Sequence, residues 1–156
     1  MVWYEEDFYA WTQEQAAALR EAGQNRVNLR PPLDYENLAE EIRGLGGRDR
    51  REVIHRLATL QEHLIKLSLS PDSDLCPARR RIVWEQRGAI DLVLDDSPSL
   101  RQRLPEFLSK AWSRARPAAI DRLREQDGID AIDLPAACPW TAEQVLNPEF
   151  FPEGMP

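Results

Sequence analysis

Apolar and polar residues alternate with a helical period along most of the chain, most clearly from residue 48 to about 69. The apolar positions there step by four, three, four and three, which is typical of one face of an α-helix. Further apolar residues widen this face to nearly half of the circumference, so we predict a central helix that contacts at least two others. The narrow face comprises Val53, Leu57, Leu60, Leu64 and Leu67, and the widening residues are Ile54, Ala58 and Ile65.

Similar but weaker patterns occur on both sides, interrupted by glycine, proline and turn residues. Asp34 is a typical N-cap, and the three glycines within 44–47 are typical of a helix C-terminus. Pro105 and Pro117 each remove a backbone donor, which predicts kinks or short separate pieces. The fold class indicated is all-α, an antiparallel bundle of about five helices with an irregular C-terminal segment. We predict helices near residues 7–22, 34–45, 48–69, 77–95, 98–126 and 141–146.

Composition is that of a globular protein, with 42% hydrophobic and 30% charged residues in a chain of 156. This length suits one domain over residues 1–156, with 128–156 as an irregular acidic tail packing on the bundle. No apolar run approaches the roughly 18 residues that cross a bilayer, and the N-terminal residues are acidic, unlike a secretory signal. Cys76 and Cys138 show no metal-binding or disulfide spacing. We therefore expect a cytoplasmic protein with reduced thiols, no cofactor and no membrane association.

The net charge of −7 conceals a marked segregation of charge along the chain. Residues 1–42 contain 9 acids and 3 bases, residues 43–124 contain 11 acids and 17 bases, and residues 125–156 contain 7 acids and no base. The basic middle is either neutralised by the acidic ends or presents a face that binds a polyanion. We favour neutralisation, because non-specific nucleic-acid binders usually have an overall basic balance.

Seven segments, taken in order, form a recognisable combination. They are Tyr4-Glu-Glu-Asp-Phe-Tyr-Ala-Trp11, Leu38-Ala-Glu-Glu-Ile42, Leu45-Gly46, His63-Leu64, the helix from Arg79 to Arg87, Asp96-Ser-Pro-Ser-Leu100 and Cys138-Pro-Trp-Thr-Ala-Glu-Gln-Val-Leu146. This combination resembles the bacterial family called domain of unknown function twenty-nine. The resemblance spans nearly the whole chain and implies an all-helical fold and a bacterial source. It implies no activity, because the family has no established catalytic residues to carry over.

An arginine-rich stretch is the best candidate for a binding patch. Arginine donates bidentately to phosphate or carboxylate, and an exposed tryptophan could stack on a base. The alternative is that these arginines pair with the acidic ends and that the tryptophan belongs partly to the core. The candidate residues are Arg79, Arg80, Arg81, Trp84 and Arg87.

Glu52 and His55 have the spacing that di-iron bundle proteins use to present two metal ligands. At 100° per residue, however, His55 lies about 160° and Glu52 about 100° from the apolar face, so both are expected to point to solvent. We therefore predict no metal site and keep these two residues as weak candidates only. His63, beside Glu62 at the edge of the apolar face, is expected to be a hydrogen-bonded boundary residue.

Carboxylates at positions 36, 40 and 41 form an acidic face, which is solvated by default. No nucleotide-binding, nucleophile-elbow or zinc-finger motif is present. Our leading hypothesis is a non-enzymatic interaction module for another protein or a second copy, since five tryptophans supply surplus aromatic surface. A nucleic-acid-associated protein using residues 79–87 is the alternative. An enzyme resting on Glu52, His55 and Glu62 is the third reading.

Overall fold

The computed structural model describes residues 2–25 and 33–155. Those residues form five α-helices and one 3₁₀-helix, and they include no β-strand. The prediction of an all-α fold is confirmed. No helix among them is long and apolar enough to cross a membrane. In chain order the helices are α1 (Phe8–Gln24), α2 (Tyr35–Leu69), α3 (Cys76–Asp96), the 3₁₀-helix Pro98–Arg103, α4 (Leu104–Asp127) and α5 (Ala142–Leu146).

The chain divides into two compact units. The first unit comprises Met1–Glu52 and Val93–Arg101, and the second comprises Val53–Leu92 and Gln102–Pro156. Each unit therefore contains one part of α2 and one part of α3. The expectation of a single domain with an acidic tail stays a prediction.

The glycine-rich segment 44–47 does not end a helix, so our prediction of two separate helices in this region is wrong. α2 runs through it as one helix of 35 residues. Gly46 is buried, and a Cβ atom there would overlap the Thr12 hydroxyl and lie 3.3 Å from the ring of Tyr9. The missing side chain thus lets α1 approach α2 closely, and the backbone stays helical.

The division into separate helices predicted near Pro105 is confirmed. The 3₁₀-helix ends at Arg103, and α4 begins at Leu104 with Pro105 in its first turn, where a missing backbone donor costs nothing. At Pro117 the chain does not divide into separate helices, because α4 continues through it to Asp127; a kink there stays a prediction. The helix ends at Gly128, whose φ of 66° suits a glycine C-cap.

Large apolar side chains form the core of the second unit. Leu57, Leu60 and Leu64 are fully buried and His55 is exposed, which confirms the predicted phase of the central helix. Gln61 of the same helix donates to the carbonyl oxygen of Leu108 in α4 at 3.3 Å. The irregular segment after α4 packs on that helix, since Trp112 Nε1 donates to the carbonyl of Pro135 at 3.1 Å.

Polar contacts organise the first unit. Asp7 caps α1 by accepting from the Ala10 amide at 2.8 Å, and it also accepts from the Ser99 hydroxyl at 3.0 Å. Ser97 donates to Asp49 at 2.8 Å and accepts from the Tyr9 amide at 3.1 Å. A hydrogen-bond network therefore links the start of α1, the middle of α2 and residues 97–99 after α3.

Candidate functional site

The five residues of the predicted binding patch lie on two faces of α3. Arg79 and Arg87 are 3% and 4% exposed, because they lie on the buried face. Arg80 and Arg81 are exposed, and Trp84 is 53% exposed. The structure brings only part of the predicted patch together at the surface, and whether that part binds anything stays a prediction.

Arg79 forms a buried ion pair with Asp127 at the end of α4. The Nη2 to Oδ2 distance is 2.5 Å, and the two side chains are 3% and 4% exposed. Burial by itself raises the pKa of Asp127, but hydrogen bonds from Arg79, Ser73 and Ser70 outweigh it and hold that pKa below its usual value. An acid of the C-terminal segment thus neutralises a base of the middle segment, as one of the two sequence readings expected.

Arg87 binds backbone carbonyls instead of carboxylates. Its guanidinium donates to the carbonyl oxygens of Val145 at 2.9 Å, Pro148 at 3.1 Å and Phe150 at 2.7 Å. Burial lowers the pKa of Arg87 from its usual value, although an arginine stays charged at neutral pH. The residue therefore anchors the C-terminal segment to α3.

The same segment places Phe151 beside the exposed face of α3. The Arg80 guanidinium lies 4.6 Å from the centre of the Phe151 ring, and Trp84 meets that ring edge-on at 6.0 Å. A groove of about 610 Å³ opens here between α3, the end of α2 and the C-terminal segment. We call it the Trp84 groove, and its wall includes Leu67, Cys76, Arg80, Trp84, Pro148, Glu149, Phe151, Pro152 and Glu153.

His63 lies in a small polar cluster on α2 and is hydrogen bonded as expected. Its Nδ1 is 2.9 Å from the carbonyl of Thr59, which identifies Nδ1 as the donor and leaves Nε2 as an acceptor. Lys66, only 5% exposed, donates to Glu62 at 2.7 Å and approaches His63 Nε2 at 3.4 Å. Burial, together with the charges of Lys66 and Arg79, lowers the pKa of His63 below its usual value.

The weak metal candidates lie at the surface of α2. Glu52 and His55 are both exposed on α2. Within residues 2–25 and 33–155, no three or more His, Cys, Asp or Glu side chains gather where a metal ion could be held. On the acidic face of α2, Arg20 pairs with Glu36 at 3.0 Å and also with Glu40.

Sequence reasoning missed Phe151 and Lys66. Phe151 lies in a tail that was expected to be irregular, and only its position between two prolines and beside another aromatic residue could have marked it as a packing residue. Lys66 stands between two residues of the predicted apolar faces, Ile65 and Leu67, and that placement was the available signal for its burial.

Comparisons with known proteins agree with this architecture. Residues 3–151 match the family model described as Domain of unknown function DUF29. A crystal structure of an alpha-helical protein of unknown function from Rhodospirillum rubrum is similar, with a TM-score of 0.79 and 26% identity. The similarity covers 96% of this chain and 92% of that chain. No curated protein matches the chain.

Proposed function

The chain belongs to the family described as Domain of unknown function DUF29, and we propose that it is a non-enzymatic helical interaction module of a bacterial cytoplasm. The proposed working surface is the Trp84 groove. Its occupant is a segment of another protein that inserts an apolar side chain against Trp84. The observation that carries the proposal is a tryptophan 53% exposed at the edge of a concave surface whose wall includes Phe151 and three prolines, Pro71, Pro148 and Pro152. Aromatic residues and arginine in such pockets are typical of the centre of protein interfaces.

The charges of the groove favour a protein over a nucleic acid. Two of the five arginine-patch residues are buried in internal contacts, and Arg81 lies 3.5 Å from Glu85. Arg80 shares the groove wall with Glu149 and Glu153, so the wall carries more negative than positive charge. A polyanion would be repelled, whereas an apolar side chain would not.

Two other possibilities have less support: that a second copy of the chain occupies the Trp84 groove, and that the protein is an enzyme. Two chains of net charge −7 repel each other at long range. A catalytic thiol is commonly activated by a base within hydrogen-bond reach. The Cys76 thiol of the groove wall instead donates to the carbonyls of Ser70 and Pro71 at 3.2 and 3.3 Å.

Selection from a random peptide-display library against the immobilised full chain tests the proposal. We expect the selected peptides to share an apolar anchor residue and to lose at least about tenfold in affinity with Trp84→Ala, the loss typical of an interface hot spot. Leu92→Ala is the matched control, because Leu92 is a 69% exposed residue of α3 outside the groove. This variant should bind as the original chain does.

Three results would overturn the proposal. The first is peptides whose binding ignores Trp84→Ala. The second is a twelve-nucleotide single-stranded DNA that binds at about 0.15 M salt and is lost with Trp84→Ala, which would favour the nucleic-acid reading. The third is a concentration-dependent dimer in sedimentation that Trp84→Ala dissociates, which would make the occupant a second copy.

A further inference from the structure

A second concave surface lies wholly within the first unit. This acidic pocket has a volume of about 490 Å³ and is formed by the start of α1, the middle of α2 and the end of α3. Two aromatic rings and three carboxylates line it, and no residue of the arginine patch takes part. The lining residues are Tyr4, Glu5, Phe8, Asp49 and Asp96.

The pocket is held in shape by the hydrogen-bond network of the first unit. Asp7 fixes the first turn of α1, which carries Phe8, to Ser99 in the 3₁₀-helix that follows α3. Ser97, between α3 and the 3₁₀-helix, is fully buried; it accepts from the Tyr9 amide and donates to Asp49. Because these contacts join all three elements, the pocket exists before any ligand arrives, and a ligand need not order it.

The carboxylates of the pocket differ from the buried Asp127 in their pairing. Among the described residues, Glu5, Asp49 and Asp96 form no ion pair with a basic side chain. Burial raises the pKa of Asp49, and the nearby charges of Asp96 and Glu52 raise it further, although Ser97 opposes them. The described part of the first unit contains thirteen acidic and six basic residues, a balance of −7. A cation entering the pocket would relieve this repulsion.

Exposed aromatic rings supply a second, independent attraction for a cation. Tyr4 is held edge-on to Phe8 at 5.5 Å and to Trp11 at 5.0 Å, yet it stays 54% exposed. Trp3 beside it is 63% exposed. Ring faces attract ammonium and guanidinium groups electrostatically, most strongly where water is partly excluded.

We propose that the acidic pocket docks a basic segment of a partner protein, with an arginine or lysine side chain entering between Tyr4 and the carboxylates of Asp49 and Asp96. Charge complementarity identifies the occupant: the pocket is acidic, aromatic and preformed, and the unit around it is strongly negative. This site is separate from the Trp84 groove, which takes an apolar anchor. The two proposals therefore succeed or fail independently.

Calorimetric titration of the full chain with acetyl-(Gly-Arg)₄-amide tests the inference, with acetyl-(Gly-Gln)₄-amide as the uncharged probe. We expect only the arginine peptide to bind, with an affinity that falls as NaCl rises from about 0.05 to 0.3 M. Tyr4→Ala and Asp96→Asn should each weaken binding by about tenfold, and Tyr4→Phe, which keeps the ring, should bind normally. Both positions are exposed, and thermal unfolding of each variant checks that the fold is retained.

Glu41→Gln is the matched charge control, because Glu41 is an exposed acid of the same unit that lies outside the pocket. It should weaken binding less than about twofold, as expected for one screened surface charge. Equal losses for Glu41→Gln and Asp96→Asn would overturn the inference, since binding would then reflect overall charge alone. So would binding that ignores Tyr4→Ala or that is lost with Trp84→Ala. Binding of spermidine but not of the arginine peptide would also overturn the inference, because the occupant would then be a free polyamine and not a protein segment.

Discussion

The two compact units of this chain are stabilised in different ways. The second unit buries Trp112, Phe107 and the leucines of α2, so its stability comes mainly from apolar area removed from water. The first unit buries Leu94 and Leu100, but its other buried residues are mostly small or polar, including Thr12, Ala16, Ala39 and Ser97, around close helix contacts and hydrogen bonds. The core of the first unit therefore buries less apolar area, and we expect its close helix contacts to tolerate few changes in side-chain size.

The two units also differ in their charge. The described residues of the first unit have thirteen acids and six bases, whereas the second unit has fourteen acids and twelve bases. In the second unit one arginine–aspartate pair lies inside, where each partner compensates the other. The first unit leaves three carboxylates around one pocket. The two units thus differ in where acidic side chains lie: in the second unit one is paired with an arginine inside the fold, and in the first unit three line a pocket.

The largest expected effect concerns the buried ion pair of the second unit. Arg79→Met should cost about 3 to 5 kcal/mol of unfolding free energy, because it leaves the Asp127 carboxylate buried without its partner. Combining it with Asp127→Leu should recover most of that loss, since no buried charge then remains. Denaturant unfolding of both variants provides the measurement. A single variant as stable as the original chain would show that the pair is open to water.

The apolar core of the second unit gives the next effect. Leu60→Ala should cost about 2 to 5 kcal/mol, because it removes fully buried atoms and leaves a cavity. His55→Ala on the opposite face of α2 should stay within about 0.5 kcal/mol. Chemical denaturation compares the two variants, and equal costs would mean that the helix is wrongly phased.

Two nearby glycines of the first unit should respond to alanine with stability changes of opposite sign, because only one of them lies at a close helix contact. Gly46→Ala should destabilise by about 1 to 3 kcal/mol, because the new methyl group overlaps Thr12. Gly44→Ala meets no atom within 4 Å and should stabilise the helix by up to about 1 kcal/mol. Hydrogen exchange of the α1 amides measures how each substitution changes the local stability of the contact between α1 and α2. Two changes of the same sign would contradict the close helix contact.

The smallest effect is a pH dependence from His63. Its folded-state pKa is lowered, whereas the unfolded chain binds the proton near the ordinary value of 6.5. Unfolding free energy should therefore fall as pH drops from about 6.5 to the lowered folded-state pKa, because only the unfolded state gains a proton in that window. Urea unfolding at several pH values should show this slope, and His63→Gln should flatten it. His55→Gln, at an exposed site, should leave it in place.

Much of the fold could be predicted from local pattern, because apolar spacing reports which side of a helix faces other residues. The buried face of α2 and the exposure of His55 follow from that spacing alone. The continuity of α2 through segment 44–47 could not be predicted in this way. Glycine is suited both to ending a helix and to close helix contact, and the choice depends on Thr12, more than thirty positions earlier.

By itself, the sequence determined the all-α class, the phase of the central helix, the break before Pro105 and the family. Only the tertiary structure decided which arginines of α3 remain at the surface. Arg79 and Arg80 are neighbours in sequence with the same chemistry, but they point about 100° apart around the helix. Their environments come from segments that are distant in sequence: Asp127 pairs with Arg79, and the Phe151 ring packs against Arg80. Local pattern carries no information about such partners, because the chain brings them together only when it folds.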